Sequence, residues 1–229
     1  MELQLILVDY NEPTMRRQRP PVEQKRAYDA SRRREQARGT HDRIVDAAER
    51  RFLRDGYVAT TVAALAIDAD VSADTIYKSF GGKPGLVRAI RAKALEGGGR
   101  VPAEERSDAV HARAADGREI IEAWGALTTE VMPRVAPILL LMRASAATDR
   151  GGQALLDELD ADRLRRMTVN ARGLRDGGHL RAGITLARAA DVLWTYSSPE
   201  IYELLVLRRG WTPKRYGRFV ATAMIDALL

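Results

Sequence analysis

Cysteine is absent from this 229-residue chain, aromatic residues make up only 6% of it, and long apolar runs are missing. Without cysteine, the chain can hold no disulfide, no thiolate metal site and no cysteine nucleophile. The longest strongly apolar run, residues 138–142, is far shorter than the roughly 20 residues that a membrane-spanning helix needs. The apolar run at residues 3–8 is also short, and it lacks the preceding basic segment of a signal peptide. These absences predict a cytoplasmic protein with no membrane contact.

Histidine is scarce too, which limits metal and catalytic chemistry. His41, His111 and His179 each lack a second histidine or a carboxylate at i+3 or i+4, the ligand pair of a helical zinc site. The Gly-Lys pair at residues 82–83 lacks the flanking glycine and hydroxyl residue of a phosphate-binding loop. No serine lies in a nucleophile-elbow pattern. We therefore predict no catalytic residue, no metal site and no cofactor.

Positive charge is present but unevenly distributed. Lysine and arginine total 37 against 31 acids, and the net charge is +6. Residues 15–38 hold nine basic and three acidic residues, so this segment alone carries +6. Such a segment attracts phosphates, and with Pro20 and Pro21 it predicts a flexible basic extension over residues 1–38 that contacts DNA. The alternative is a solubilising tail, and no role is predicted for residues 1–14.

The most informative stretch runs from Thr60 to Ile90. Thr60 or Thr61 can cap a short helix whose apolar positions 62, 65 and 66 recur at i, i+3 and i+4. Ser72 can cap a second helix, in which positions 76 and 80 form a buried i, i+4 pair before two glycines end it. Two short helices joined by a tight turn predict a helix-turn-helix.

The second of these helices would expose small and polar side chains if its apolar pair faces inward. Ala73 permits close approach to a thymine methyl, Thr75 can donate to or accept from base edges, and Tyr77 and Lys78 can contact phosphates or add charge. Ser72 would lie on the same side. This face suits a DNA groove, and the alternative is a helical hairpin that only completes a bundle.

A series of positions between Arg43 and Ile90 forms a family pattern. The positions are Ile44, Ala47, Ala48, Phe52, Gly56, Tyr57, Thr60, Thr61, Val62, Leu65, Ala66, Val71, Ser72, Thr75, Ile76, Tyr77, Phe80, Lys83 and Leu86. They resemble the N-terminal DNA-binding domain of the TetR family of transcriptional regulators, over roughly a fifth of the chain. The departures are Asp70, where the family usually has glycine, and Gly82 and Pro84, where serine and polar residues are common. We expect Asp70 to occupy a turn at positive φ, which Asp tolerates better than most residues.

The resemblance implies a DNA-binding surface centred on a recognition helix over about residues 73–80. Each such helix of a homodimer would enter one major groove, so the operator would be a palindrome in double-stranded DNA. Thr61, Tyr77 and Lys83 would anchor phosphates. The full expected set of DNA-binding residues is Thr61, Ser72, Ala73, Thr75, Tyr77, Lys78 and Lys83.

The predicted fold is all-α and has two domains after the extension. A three-helix domain over residues 39–96, starting near Thr40, contains the helix-turn-helix, and residues 97–229 form a helical effector-binding and dimerisation domain. Within the latter, residues 118–131 and 133–147 are predicted as separate helices on either side of Pro133. A stripe of small apolar residues is the expected dimer surface, with the monomer core as the alternative. Its members are Ala189, Ala190, Leu193, Ala223, Met224 and Ala227.

The resemblance also implies a pocket for a small-molecule effector between the helices after residue 97. The candidate lining residues, each of which could instead be core, are Trp124, Thr128, Met132, Leu139, Met142 and Trp194. We predict a sequence-specific transcriptional regulator, a repressor that the effector releases from its operator, and not an enzyme. The alternatives are a helical small-molecule-binding protein or enzyme with a structural N-terminal motif, and a nonspecific DNA-binding protein.

Overall fold

The structure is a computed structural model that describes residues 22–97, 101–114 and 116–229, with side chains from residue 31 onward. Residues 1–21, which include the segment without a predicted role and the start of the basic extension, lie outside the described residues. The chain divides into two compact units between Thr40 and His41. The site described below belongs entirely to the second unit, residues 41–229.

All regular secondary structure in the described residues is helical, which confirms the all-α prediction. The helices are α1 Val22–Asp55, α2 Val62–Asp68, α3 Ala73–Phe80, α4 Lys83–Glu96, α5 Ala103–Arg113, α6 Gly117–Ala146, α7 Arg150–Asp176, α8 Leu186–Tyr196, α9 Pro199–Tyr202 and α10 Pro213–Leu228, with a π-helical segment at Glu203–Arg208.

Helix α1 begins at Val22, well before the predicted start near Thr40. The prediction of a flexible extension is therefore wrong for residues 22–38. The basic charge of this segment predicted flexibility. However, these residues are mostly alanine, arginine, glutamate and glutamine, which favour helix. In addition, Pro21 directly precedes the first helical residue, a position that suits proline.

The two short helices of the helix-turn-helix begin at the predicted caps. Thr61 Oγ1 accepts a hydrogen bond from Ala64 N at 3.2 Å, and Ser72 Oγ accepts one from Thr75 N at 3.1 Å. Between them Asp70 has a φ of 53°, which confirms the turn conformation expected there. Helix α3 ends at Gly81, whose φ of 72° is the left-handed cap that glycine adopts without a side-chain clash.

One core cluster joins the helix-turn-helix helices to α6 and α7. Phe52 of α1, Ile76 of α3 and Ile90 of α4 are almost fully buried in it, together with Ile138 of α6 and Leu159 of α7. The helices predicted as two domains therefore pack as one unit, with α4 between them. The division at residue 97 stays a prediction about function.

Helix α6 is the central helix of the C-terminal half and contacts α4, α5, α7, α9 and α10. It runs without interruption through Pro133 and Pro137, so the prediction of two helices divided at Pro133 is wrong. Burial on several sides offsets the cost of the prolines, which is about 3 kcal/mol for an interior position. By length and composition α6 could also cross a membrane, but here its apolar residues build the two cores of the protein.

The second core lies between α6, α8 and α10, and it contains most of the stripe that was expected to form the dimer surface. Ala189, Ala190, Leu193 and Met224 are all buried within a single chain. They fill the monomer core, and the expectation of a dimer surface at these four positions is wrong. Sequence periodicity identified an apolar face correctly but could not tell which neighbour covers it.

Candidate DNA-binding surface and effector cavity

The recognition helix α3 has one buried face and one exposed face. Ile76 is fully buried, while Tyr77 is 56% exposed and lies on the outer side. Phe80, predicted to be buried, is only partly so, and its ring lies 4.8 Å from that of His41. The helix therefore presents a phenol ring and polar groups to solvent, as a helix that enters a groove must.

Lys78 is the exposed cation of this face. Its ammonium lies 2.7 Å from the carboxylate of Asp74, one turn earlier, and both side chains are largely exposed. An exposed ion pair of this kind contributes at most about 1 kcal/mol, so a phosphate or a base edge can displace the carboxylate at little cost.

Three of the expected DNA-binding residues have structural roles in α3 itself. Ser72 and Thr75 form the N-terminal cap, and their hydroxyl oxygens lie 2.8 Å apart. Ala73 is partly buried and packs against the core, so its predicted place on the exposed side is only partly correct. Because a hydroxyl has one donor and two acceptor sites, Thr75 can keep this hydrogen bond and still form another with a base.

The two expected phosphate anchors outside α3 differ from each other. Thr61 is exposed and caps α2. Lys83 is turned inward: its ammonium donates to the carbonyl oxygen of Tyr57 at 2.7 Å and lies 4.4 Å from the centre of that tyrosine ring. Partial burial lowers the pKa of Lys83. Lys83 thus connects the start of α4 to the loop after α1, and its contact with phosphate stays a prediction.

A cavity of about 160 Å³ lies in the C-terminal half, between α4, α5, α6, α7, α8 and α10. Four of the six predicted pocket residues line it, namely Trp124, Thr128, Met132 and Leu139. The other two are elsewhere: Met142 is fully buried in the first core, and Trp194 is absent from the lining. The ring of Trp194 instead packs 4.4 Å from the guanidinium of Arg163, which does line the cavity.

The polar part of the cavity was missed by the sequence prediction. Helix α7 contributes Arg163, Arg166, Met167 and Asn170, which recur at i, i+3, i+4 and i+7 and therefore share one helix face. That spacing was visible in the sequence. Because arginine is usually solvated, this spacing alone does not indicate a cavity wall.

Hydrogen bonds orient the polar groups of the cavity wall. The indole Nε1 of Trp124 donates to Ser107 Oγ at 2.9 Å, and Asn170 Oδ1 lies 3.5 Å from the same hydroxyl. Arg163 donates to the carbonyl oxygen of Trp194 and to Ser197 Oγ. Burial lowers the pKa of Arg163, yet a guanidinium stays protonated at neutral pH.

Helix α4 contacts both the cavity and the recognition helix. Arg91 and Leu95 line the cavity from one side of α4. At the start of the helix, Gly85 lies so close to Phe80 that an added Cβ would be 1.6 Å from its carbonyl oxygen. Arg88 forms two hydrogen bonds of 2.6 Å to Glu158, which fasten the middle of α4 to α7. A displacement of α4 would therefore change both the shape of the cavity and the position of α3.

Residues 44–90 match the family model described as bacterial regulatory proteins of the tetR family, the segment that contains α2, α3 and most of α4. This segment matches the DNA-binding domain of the TetR family. An uncharacterised helix-turn-helix transcriptional regulator of Bacillus subtilis, YvkB, is 37% identical over 71 residues, which cover 31% of this chain. The match covers 38% of that relative's length.

Solved structures of TetR-like regulators share the fold over most of the chain. The transcriptional regulator FadR of Bacillus subtilis, solved in complex with stearoyl-CoA, has a TM-score of 0.64 at 16% identity, and the match covers 82% of this chain and 100% of FadR. NalD of Pseudomonas aeruginosa, the secondary repressor of the MexAB-OprM efflux pump, has a TM-score of 0.66 at 16% identity and covers 84% of this chain and 98% of its own. These structures confirm the prediction of an all-α fold of the kind found in such regulators.

Proposed function

We propose that this protein is a homodimeric, sequence-specific transcriptional repressor of the TetR family that a small-molecule effector releases from a palindromic operator. The observation that carries the proposal is the placement of α3, which buries Ile76 and exposes Tyr77 and Lys78. Each recognition helix would enter a major groove, and the two-fold axis of the dimer would set half-sites about one helical turn apart. Such a protein would act on DNA in the cytoplasm.

The cavity supports the effector part of the proposal. Its lining combines apolar side chains such as Leu127 and Met132 with a few oriented polar groups, which is the usual character of a small-molecule site. FadR of Bacillus subtilis, which shares the fold, was solved with stearoyl-CoA, and NalD is a repressor. These relatives favour release from the operator as the response to a ligand.

Helix α4 is the proposed link between effector and operator. Its residues Arg91 and Leu95 touch the cavity, and Gly85 touches the last residue of α3. A ligand that moves α4 would change the separation of the two recognition helices in the dimer. Because linkage is reciprocal, operator DNA must weaken effector binding by the same factor.

The deciding experiment is selection of bound sequences from random duplex DNA at about physiological salt, where nonspecific attraction is reduced. We expect a palindrome with two equal half-sites. Recovery of no motif from folded, dimeric protein would contradict sequence-specific regulation and favour either nonspecific DNA binding or a purely ligand-binding protein.

A further inference from the structure

We infer that the cavity binds an amphipathic anion, most simply a carboxylate with an alkyl or aryl body of about ten to fifteen non-hydrogen atoms. The inference rests on the proposed role of the cavity as the effector site and names the chemical class of the effector. Its basis is a group of three arginines, Arg91, Arg163 and Arg166, on the wall of a mostly apolar cavity.

The charges at the cavity are asymmetric. The three arginine side chains are only 18%, 10% and 15% exposed, and one acid, Glu104, lines the cavity with them. The carboxylates paired with these arginines lie outside the lining and are more exposed, at 31%, 28% and 61%. The cavity itself therefore has a positive surface on its α4 and α7 sides. Buried cations favour an anionic ligand because water and salt screen the attraction between cation and anion poorly at a buried site.

The arginines also retain capacity to donate hydrogen bonds. The closest contact between Arg91 and Asp162 is 3.8 Å, too long for a direct hydrogen bond. Arg163 uses its two terminal nitrogens for Trp194, Ser197 and Asp160, and its Nε is buried with no partner. Arg166 donates through one terminal nitrogen to Asp108 and to the carbonyl oxygen of Glu104. A guanidinium has five N–H donors, and these contacts do not use them all. A carboxylate could accept from two of these groups at once.

The rest of the wall fixes the body of the ligand. Apolar side chains surround the space away from the arginines, namely Leu127, Val131, Met132, Val135, Leu139, Leu193 and Met224. The volume of about 160 Å³ has room for on the order of a dozen water-sized atoms, since one water occupies about 10–15 Å³ on the same measure. Methionine and leucine side chains can adapt to flexible apolar chains of different shapes.

The test is isothermal titration calorimetry of the full chain with three probes of equal chain length, each below its micelle-forming concentration. Decanoate, with about 12 non-hydrogen atoms, matches the cavity in size. We expect decanoate to bind at least ten-fold more tightly than decanol, and decylamine to be weaker than either. Equal affinity for decanoate and decanol, tighter binding of decylamine, or no binding of decanoate would each overturn the inference.

Two substitutions test the arginines separately. If one variant fails to fold, the other still tests the inference. Arg166→Gln and Arg91→Gln should each weaken decanoate at least ten-fold and leave decanol unchanged. Arg172→Gln is the matched control, because Arg172 lies on α7 but is exposed and does not line the cavity. Equal loss for decanol and decanoate in both cavity variants would indicate damage to the cavity and contradict charge recognition.

The experiments distinguish an error in the inferred ligand class from an error in the proposed function. Sequence selection on DNA requires no ligand, and calorimetry requires no DNA. A recovered palindrome with no decanoate binding would overturn only the anion inference. Decanoate binding without a palindrome would support the anion site and contradict the regulator.

Discussion

At the residue scale, Lys78 tests whether α3 reads bases. We expect Lys78→Ala to weaken operator binding by about 1–3 kcal/mol and to relax preference at one position of each half-site, because the lysine is exposed and its ion pair with Asp74 is exposed too. Competition between operator variants on the selected sequence measures both effects. Lys214→Ala, an exposed lysine on α10, is the control. An equal loss of affinity on every sequence would instead make Lys78 a phosphate contact.

His111 should make stability depend on pH. Burial and the nearby charge of Arg166 lower its pKa below the ordinary value of 6.5, while Asp108 opposes this and His179 adds to it. The unfolded chain then binds the proton more readily than the folded one. The contribution of His111 to the free energy of unfolding is therefore fully present above about pH 6.5 and is lost as the pH is lowered below that value. We expect His111→Phe to flatten this loss, as measured by urea unfolding between about pH 7 and pH 5.

The ring of His111 also packs on Trp124, with centroids 5.2 Å apart, so the substitution keeps an aromatic ring at this position. The control is His41→Gln at an exposed histidine. If the wild type and His111→Phe lose stability in parallel over this range, groups other than His111 govern the acid sensitivity.

At the scale of elements, the contact between α3 and α4 should be essential to DNA binding. An alanine at Gly85 would place its Cβ 1.6 Å from the carbonyl oxygen of Phe80, so backbone must move. We expect Gly85→Ala to cost about 1–3 kcal/mol of folding free energy and to abolish operator binding by displacing α3. Urea unfolding and operator affinity measure the two effects.

Gly151→Ala is the matched control for this substitution. Gly151 is exposed in the first turn of α7, where an added Cβ meets only the side chain of Asp149 at ordinary contact distance. It should leave DNA binding unchanged. If Gly85→Ala binds the operator normally, the close contact of α4 with α3 is not the link that we propose.

Helix α6 shows how an element can differ from its sequence pattern. Proline predicts a helix end, and Pro133 would divide residues 118–147 in two. In the structure the helix continues because it is covered by α4, α5, α7, α9 and α10, whose packing outweighs the local preference. Local propensity is a weak guide wherever tertiary burial is extensive.

At the scale of the whole molecule, the proposed dimer cannot use the four buried positions of the expected stripe. Phe219 of α10 is 41% exposed, and its ring meets that of Trp211 edge-on at 5.5 Å. A large exposed aromatic residue on the last helix is a candidate interface anchor. We expect Phe219→Glu to raise the dimer dissociation constant at least ten-fold in analytical ultracentrifugation. Leu164→Glu, at a residue of α7 that is also 41% exposed, should leave the dimer intact. The opposite pattern would place the interface on α7.

The sequence by itself determined the helix-turn-helix. Its caps at Thr61 and Ser72, the turn at Asp70 and the buried Ile76 are all local features, set by hydrogen bonds and dihedral preferences within a few residues. Such features can be predicted from the sequence because the residues that form each hydrogen bond or turn are neighbours in the chain. The resemblance to the TetR family lies in this segment.

Only the tertiary structure decided which residues of the C-terminal half form the cavity and which form the core. Met142 and Arg163 illustrate the difference, since a methionine expected in the pocket fills the core and an unexpected arginine lines the cavity. Both lie on apolar or mixed helix faces whose neighbours come from distant parts of the chain. Helical periodicity shows which residues share a face, but the packing of several helices determines what that face meets.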